Sequence, residues 1–111
     1  ELGEVRSRLR RALDLSGRTS VPTAVAMLGN GTHLSARDTV PLALWCAARH
    51  LDDYEAALWT AVSALGDRDT ICAIAGGVVA CFVGVEGIPT DWLSSREPLP
   101  TIRENPRWID R

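Results

Sequence analysis

Sixteen consecutive residues, Thr70 to Val85, carry no formal charge in a chain of 111, and the rest of the molecule must arrange itself around them. As a helix rising 1.5 Å per residue the run reaches about 24 Å, short of the roughly 20 apolar residues that span a bilayer core. It also contains Cys, Thr and Gly, so it reads as a core helix, and no membrane partner is expected. Gly76, Ala80 and Gly84 recur every four residues and would form a flat strip where another helix approaches closely.

The remainder reads as short helices joined by turns. Leu2, Val5, Leu9 and Leu13 share one face of a first helix, with Glu4, Arg6 and Arg10 opposite and Gly17 beyond its end. Ser20 caps a second helix from Val21 to Leu28, Pro22 falls in its first turn, and Gly29 stops it. Gly29-Asn30-Gly31 makes a tight turn. A third helix lies between Ser35 and His50. Ser35-x-x-Asp38 has capping-box spacing, but Pro41 would then fall six residues into the helix, so Asp38 or Thr39 is the better expected cap.

Asp52-Asp53-Tyr54-Glu55 opens a fourth helix reaching Leu65, with Ala57, Leu58, Ala61, Val62 and Leu65 inward and Gly66 ending it. After the uncharged run, Gly87-Ile88-Pro89 turns into a short helix near Thr90–Ser95. The tail holds three prolines and one apolar anchor, Trp108. No alternating strand pattern is present, so the expected fold class is all-α.

Size and charge bound the function. At 12.0 kDa with 46% apolar residues, one modest core is available. A net charge of -2, the lack of a basic run, and a single Tyr and single Phe give no clear nucleic-acid surface. Cys46, Cys72 and Cys81 lie in apolar helical patterns without CxxC spacing. They are expected to be buried, reduced thiols of a cytoplasmic protein, and no secretory signal precedes them.

The chemistry concentrates in Gly66-Asp67-Arg68-Asp69-Thr70, at the mouth of the uncharged helix. Carboxylate and hydroxyl oxygens suit a hard divalent cation, so Asp67, Asp69 and Thr70 read as half of a metal site. Helix capping competes, since a cap oxygen stabilises a helix by ~1 kcal/mol and an acid near its positive end adds roughly 0.3–1 kcal/mol. One acid satisfies that need, and spacing alone leaves both readings open. Glu55 makes Asp52-Asp53 structural. Cys46 and His50 lack a second soft pair, which favours a buried thiol and a helix-end His over a metal. No base pairs with Ser35, Ser63, Ser94 or the thiols, which disfavours acyl transfer.

Four motifs in series carry a resemblance. They are Gly29-Asn30-Gly31; Ser35-Ala36-Arg37-Asp38-Thr39-Val40-Pro41 leading into Ala43-Leu44-Trp45; Gly66-Asp67-Arg68-Asp69-Thr70; and Glu86-Gly87-Ile88-Pro89-x-x-Trp92. Together, over residues 2 to 98, they resemble the C-terminal part of the ADP-ribosylglycohydrolase family, the group that includes dinitrogenase-reductase-activating glycohydrolase-like proteins.

The resemblance implies an orthogonal all-α bundle, of which residues 1–98 would be the C-terminal helices and 99–111 a tail. It implies a hydrolase that uses two magnesium ions in cleaving the glycosidic bond between ADP-ribose and a protein side chain or other acceptor. Asp67, Asp69 and Thr70 match the family's C-terminal Asp-x-Asp-Thr metal motif; the glycine-rich turn lies, in family members, along the wall that receives the adenosine end, which makes Asn30, Gly31 and His33 candidate contacts. Arg68 would point outward to solvent, a partner carboxylate or a substrate phosphate.

The family's N-terminal Thr-Asp-Asp ligands have no counterpart here. The chain begins at Glu1 and its one methionine is Met27, so it is expected to be roughly the last third of a larger enzyme, inactive alone and seen with a companion polypeptide. Four short neighbours would not cover every side of the uncharged helix, which points the same way. The alternatives are a catalytically inactive helical homologue and a metal-free interaction module in which the acids are caps.

Overall fold

The computed structural model describes residues 2–98, so the tail beyond them and its expected anchor Trp108 lie outside the described residues. Among the described residues every regular element is helical: α1 (Leu2–Asp14), α2 (Val21–Leu28), α3 (Ala36–Arg49), α4 (Tyr54–Ser63), α5 (Arg68–Val83), a 3-10 turn (Val85–Gly87) and α6 (Thr90–Ser95). The all-α expectation holds. No helix among them is long and apolar enough to cross a membrane.

Helix α3 is the hub, packing on α1, α2, α4 and α5, while α4 and α5 lie against each other. Leu28, Leu42, Trp45, Cys46, Ile71 and Val79 form the larger part of the buried core, with Ala24, Ala57, Ala61 and Ala75 letting the helices approach. Gly76 does the same for α4: a Cβ there would fall 3.2 Å from the Tyr54 hydroxyl and 3.3 Å from Leu58 Cδ2. Of the expected small-residue strip, Gly84 is instead the α5 C-cap at φ 71°. Tyr54 also meets Trp92 edge to face at 6.1 Å, tying α6 to α4.

Helix α2 runs as its sequence predicts, Ser20 accepting from the Thr23 N–H and Gly29 adopting φ 90° at its end. The start of α3 does not. Ser35 is its cap, in a reciprocal capping box with Asp38, and Pro41 sits inside the helix. Proline removes the N–H that would reach the carbonyl four residues back, that of Arg37. The Arg8 guanidinium, from α1, donates to that carbonyl at 3.3 Å and to the Leu28 carbonyl at 3.2 Å. A partner distant in sequence thus removes the penalty that argued against Ser35.

Two further expectations are corrected. Leu13 is 85% exposed on the rim of an apolar cavity of about 290 Å³ between α1 and α3, while Ala12 and Leu15 turn inward. Helix α4 is capped by Asp53, which accepts from the Ala56 N–H, and stops at Ser63. Leu65 lies past its end at φ 61° and is 71% exposed. The helical pattern continued through Leu65 because periodicity registers apolar spacing and not the left-handed turn that follows.

The uncharged helix is covered on one side. Ile71, Ala75, Gly76 and Val79 are buried, but Gly77, Val78, Cys81 and Phe82 are exposed, Phe82 by 64%. The three thiols accordingly differ: Cys46 is buried, Cys72 half-buried and Cys81 exposed, so the expectation that all three are buried fails at Cys81, and all three are free.

Candidate functional site

The first turn of α5 gathers the acids. Asp67 is its N-cap, half-buried, with Oδ1 accepting from the Thr70 N–H at 3.3 Å. Asp69 and Thr70 follow on the open end of the helix, both exposed. Among the described residues the Asp69 carboxylate and the Thr70 hydroxyl make no hydrogen bond, and neither acid is ion-paired. Arg68 points outward, its Nε donating to the Val62 carbonyl at 3.4 Å rather than to either neighbouring acid.

Two carboxylates and a hydroxyl with oxygens unspent fit a hard divalent cation, for which six oxygen ligands are usual. Among the described residues no group of three or more His, Cys, Asp or Glu side chains could hold a metal ion, so remaining ligands would come from elsewhere. Cys46 and His50 form no such group either: Cys46 is fully buried and His50 caps the end of α3. Burial and the neighbouring Cys72 push the Cys46 thiol up to about 12, and burial together with Asp69 raises Cys72. Neither is a ready thiolate.

Directly behind the acids lies the glycine-rich turn. The Asp67 N–H donates to the Asn30 carbonyl at 2.8 Å, and Asn30 Nδ2 donates to the Ala64 carbonyl at 3.0 Å. Asn30 Oδ1 accepts from the Thr32 N–H and hydroxyl. Gly31, at φ 84°, is buried, and a Cβ on it would fall 2.5 Å from Asp67 Cβ. His33 is exposed, and with Asn30 and Thr32 it borders an open cavity of about 440 Å³ that Arg8 and Arg11 also line. Of the three adenosine-wall candidates, Asn30 and His33 therefore reach this cavity, whereas Gly31 packs against the acid turn.

One residue that sequence reasoning placed only as a helix cap does more. Asp38 is 1% exposed and accepts from the His33 N–H at 2.8 Å, the Ser35 N–H at 3.1 Å and the Ser35 hydroxyl at 3.2 Å. Burial by itself raises its carboxyl, but these donors, with His33 nearby, outweigh that and hold it below its ordinary 3.8. The glycine-rich turn is thereby fastened from beneath. A Ser-x-x-Asp after a Gly-rich turn was the available signal, but capping explained it locally.

These features define an all-α protein presenting a carboxylate pair on a helix start, backed by a closely packed, hydrogen-bonded glycine-rich turn. The chain belongs to the ADP-ribosylglycohydrolase family, whose sequence profile matches residues 1–110 and bears out the resemblance carried by the four motifs. It is similar to "ADP-ribosylhydrolase ARH3" of Bos taurus, 31% identical over 103 residues that cover 82% of this chain and 28% of the relative. The proteins of the same name from Homo sapiens (30% identical over 103 residues, 82% and 28% covered) and Danio rerio (31% over 103, 82% and 27%) are comparable. The chain thus spans under a third of the length of these relatives. No solved structure matches it.

Proposed function

We propose that this chain supplies the C-terminal metal-binding part of a magnesium-dependent hydrolase that releases ADP-ribose from a protein side chain or other acceptor. The observation that carries the reading is the set Asp67, Asp69 and Thr70 at one helix end: Asp67 is half-buried with one oxygen held by the Thr70 N–H, while the exposed Asp69 carboxylate and Thr70 hydroxyl make no hydrogen bond among the described residues. Family membership and the names of the relatives support the hydrolytic activity.

Asp67 and Asp69 supply negative charge that reverses the positive potential of the α5 N-terminus, which by itself repels a cation. Thr70 adds a neutral oxygen. Two magnesium ions, when bound, supply Lewis acidity at the glycosidic centre, where positive charge develops as the bond breaks. Asn30 and His33 border the cavity proposed to receive the adenosine end, where Arg8 and Arg11 add positive charge suited to a diphosphate.

The other metal ligands belong to a companion segment carrying the rest of the fold, and the uncovered face of α5 at Val78 and Phe82 is where apolar surface calls for one. Three free thiols suit a reducing compartment such as the cytoplasm.

The test is Asp67→Asn with Asp69→Asn in the protein assembled with that segment. Asn caps a helix about as well as Asp, so stability should change little while magnesium-dependent release of ADP-ribose is lost. Unchanged magnesium dependence would refute the assignment. The second reading, a metal-free helical module, rests on the Asp67 cap bond to Thr70. It expects no magnesium response in either form.

A further inference from the structure

We propose that Asn30 is a positioning residue for Asp67, setting the metal-ligand turn from behind, rather than chiefly a contact for the nucleotide. The inference rests on the metal reading of Asp67 given above. Asn30 grips both ends of the α4–α5 connection: its amide donates to the Ala64 carbonyl at 3.0 Å, and its own carbonyl receives the Asp67 N–H at 2.8 Å. Its remaining side-chain atom, Oδ1, is taken by Thr32. With both polar atoms of the side chain engaged inside the protein, little is left with which to recognise a ligand.

What the grip spans is a turn containing an unfavourable backbone conformation, beside local bonds such as Leu65 N–H to the Val62 carbonyl at 3.2 Å. Leu65, between the two bonded residues, has φ 61°, a conformation uncommon for a bulky side chain and kept only where the surroundings over-determine it. Its own side chain is 71% exposed and anchors nothing. Gly66 then passes so close that a Cβ would lie 1.8 Å from the Asn30 carbonyl oxygen and 2.5 Å from Asn30 Cγ. Glycine at this position allows the two turns to touch, and the contact fixes where α5 begins and hence where the Asp67 carboxylate stands. Asp38 in turn immobilises the Asn30 loop through the His33 and Ser35 N–H groups.

The experiment uses the protein assembled with its companion segment and Mn²⁺ as the probe, its affinity read from the signal of the free ion with no nucleotide present. Asn30→Ala and Gly66→Ala should each weaken Mn²⁺ about tenfold or more, as losses of groups that orient metal ligands commonly do. Adding Leu65→Gly to Asn30→Ala should restore part of the affinity, because glycine holds the positive φ without a clamp. General destabilisation is separated by Arg49→Met, which removes a comparable bond, to the Thr19 carbonyl at 3.0 Å, away from the acids. That variant should leave Mn²⁺ affinity unchanged while the protein stays folded.

If Asn30→Ala and Gly66→Ala keep full Mn²⁺ affinity while Asp67→Asn loses it, the positioning role is overturned and the metal reading stands. If Asn30→Ala weakens only ADP-ribose, Asn30 is a nucleotide contact. If Asp67→Asn itself leaves Mn²⁺ binding intact, the metal reading fails and takes the inference with it.

Discussion

The Arg8 guanidinium donates to the Arg37 carbonyl, the acceptor that Pro41 deprives of its intrahelical N–H. The same group reaches the Leu28 carbonyl and pairs with Glu4 at 3.3 Å, so one side chain ties α1 to the end of α2 and the start of α3.

Arg8→Met should therefore destabilise the fold by about 1–2 kcal/mol, the lower range for bonds from a charged donor because the geometry is long and the group partly exposed. In a Pro41→Ala background the same change should cost less, since alanine returns an N–H to the Arg37 carbonyl. A double-mutant cycle by urea unfolding measures the coupling, and strictly additive losses would contradict the compensation.

Asp38→Asn should cost about 1–3 kcal/mol at pH 7, because a charged acceptor of the His33 and Ser35 N–H groups is lost in a buried setting. Asp38 in the folded chain lies below its ordinary 3.8, so its contribution is fully present above that value and disappears as pH falls through the folded pKa. The gap between the two proteins should accordingly close on acidification below about 3.8, measured as unfolding midpoints across pH.

Neighbouring glycines of α5 should respond unequally. A Cβ on Gly77 meets nothing within 4 Å, so Gly77→Ala in this chain should stabilise by about 0.5–1 kcal/mol through helix propensity. At Gly76 the gain is opposed by the 3.2 Å approach of the Tyr54 hydroxyl, and thermal unfolding should place Gly76→Ala below Gly77→Ala.

Alkylation should rank the thiols. At pH 8 a thiol with pKa about 12 is thiolate in roughly one molecule in ten thousand, and Cys46 is also wholly buried. Iodoacetamide should label exposed Cys81 in the native chain and spare Cys46, as read by peptide mass. Where the proposed companion segment covers this side of α5, Cys81 should be shielded along with Phe82.

Local signals were legible in the sequence where local chemistry decides the outcome. Ser20, Pro22 and Gly29 bound α2 because cap, first-turn proline and positive-φ glycine each act within a few residues. Asp67, Asp69 and Thr70 stood out for the same reason. Elements decided at a distance were not legible. Ser35 caps α3 despite Pro41 because Arg8, on another helix, supplies the missing donor. Leu65 turns out of the helical path between Ala64 and Asp67, both bonded to Asn30 from a loop 34 residues or more away in sequence, and apolar spacing carries no trace of those bonds.

The half-covered α5 gives the chain a colloidal character of its own. Val78 and Phe82 are exposed one turn apart on α5, Val85 is exposed just beyond its end, and Trp59 on α4 is 59% exposed, so the isolated chain presents apolar surface to solvent. Any association of folded copies stabilises the folded form by mass action. Melting temperatures of the isolated chain across a dilution series measure whether copies pair through this surface: pairing makes the value fall on dilution, and its limit then describes a single molecule.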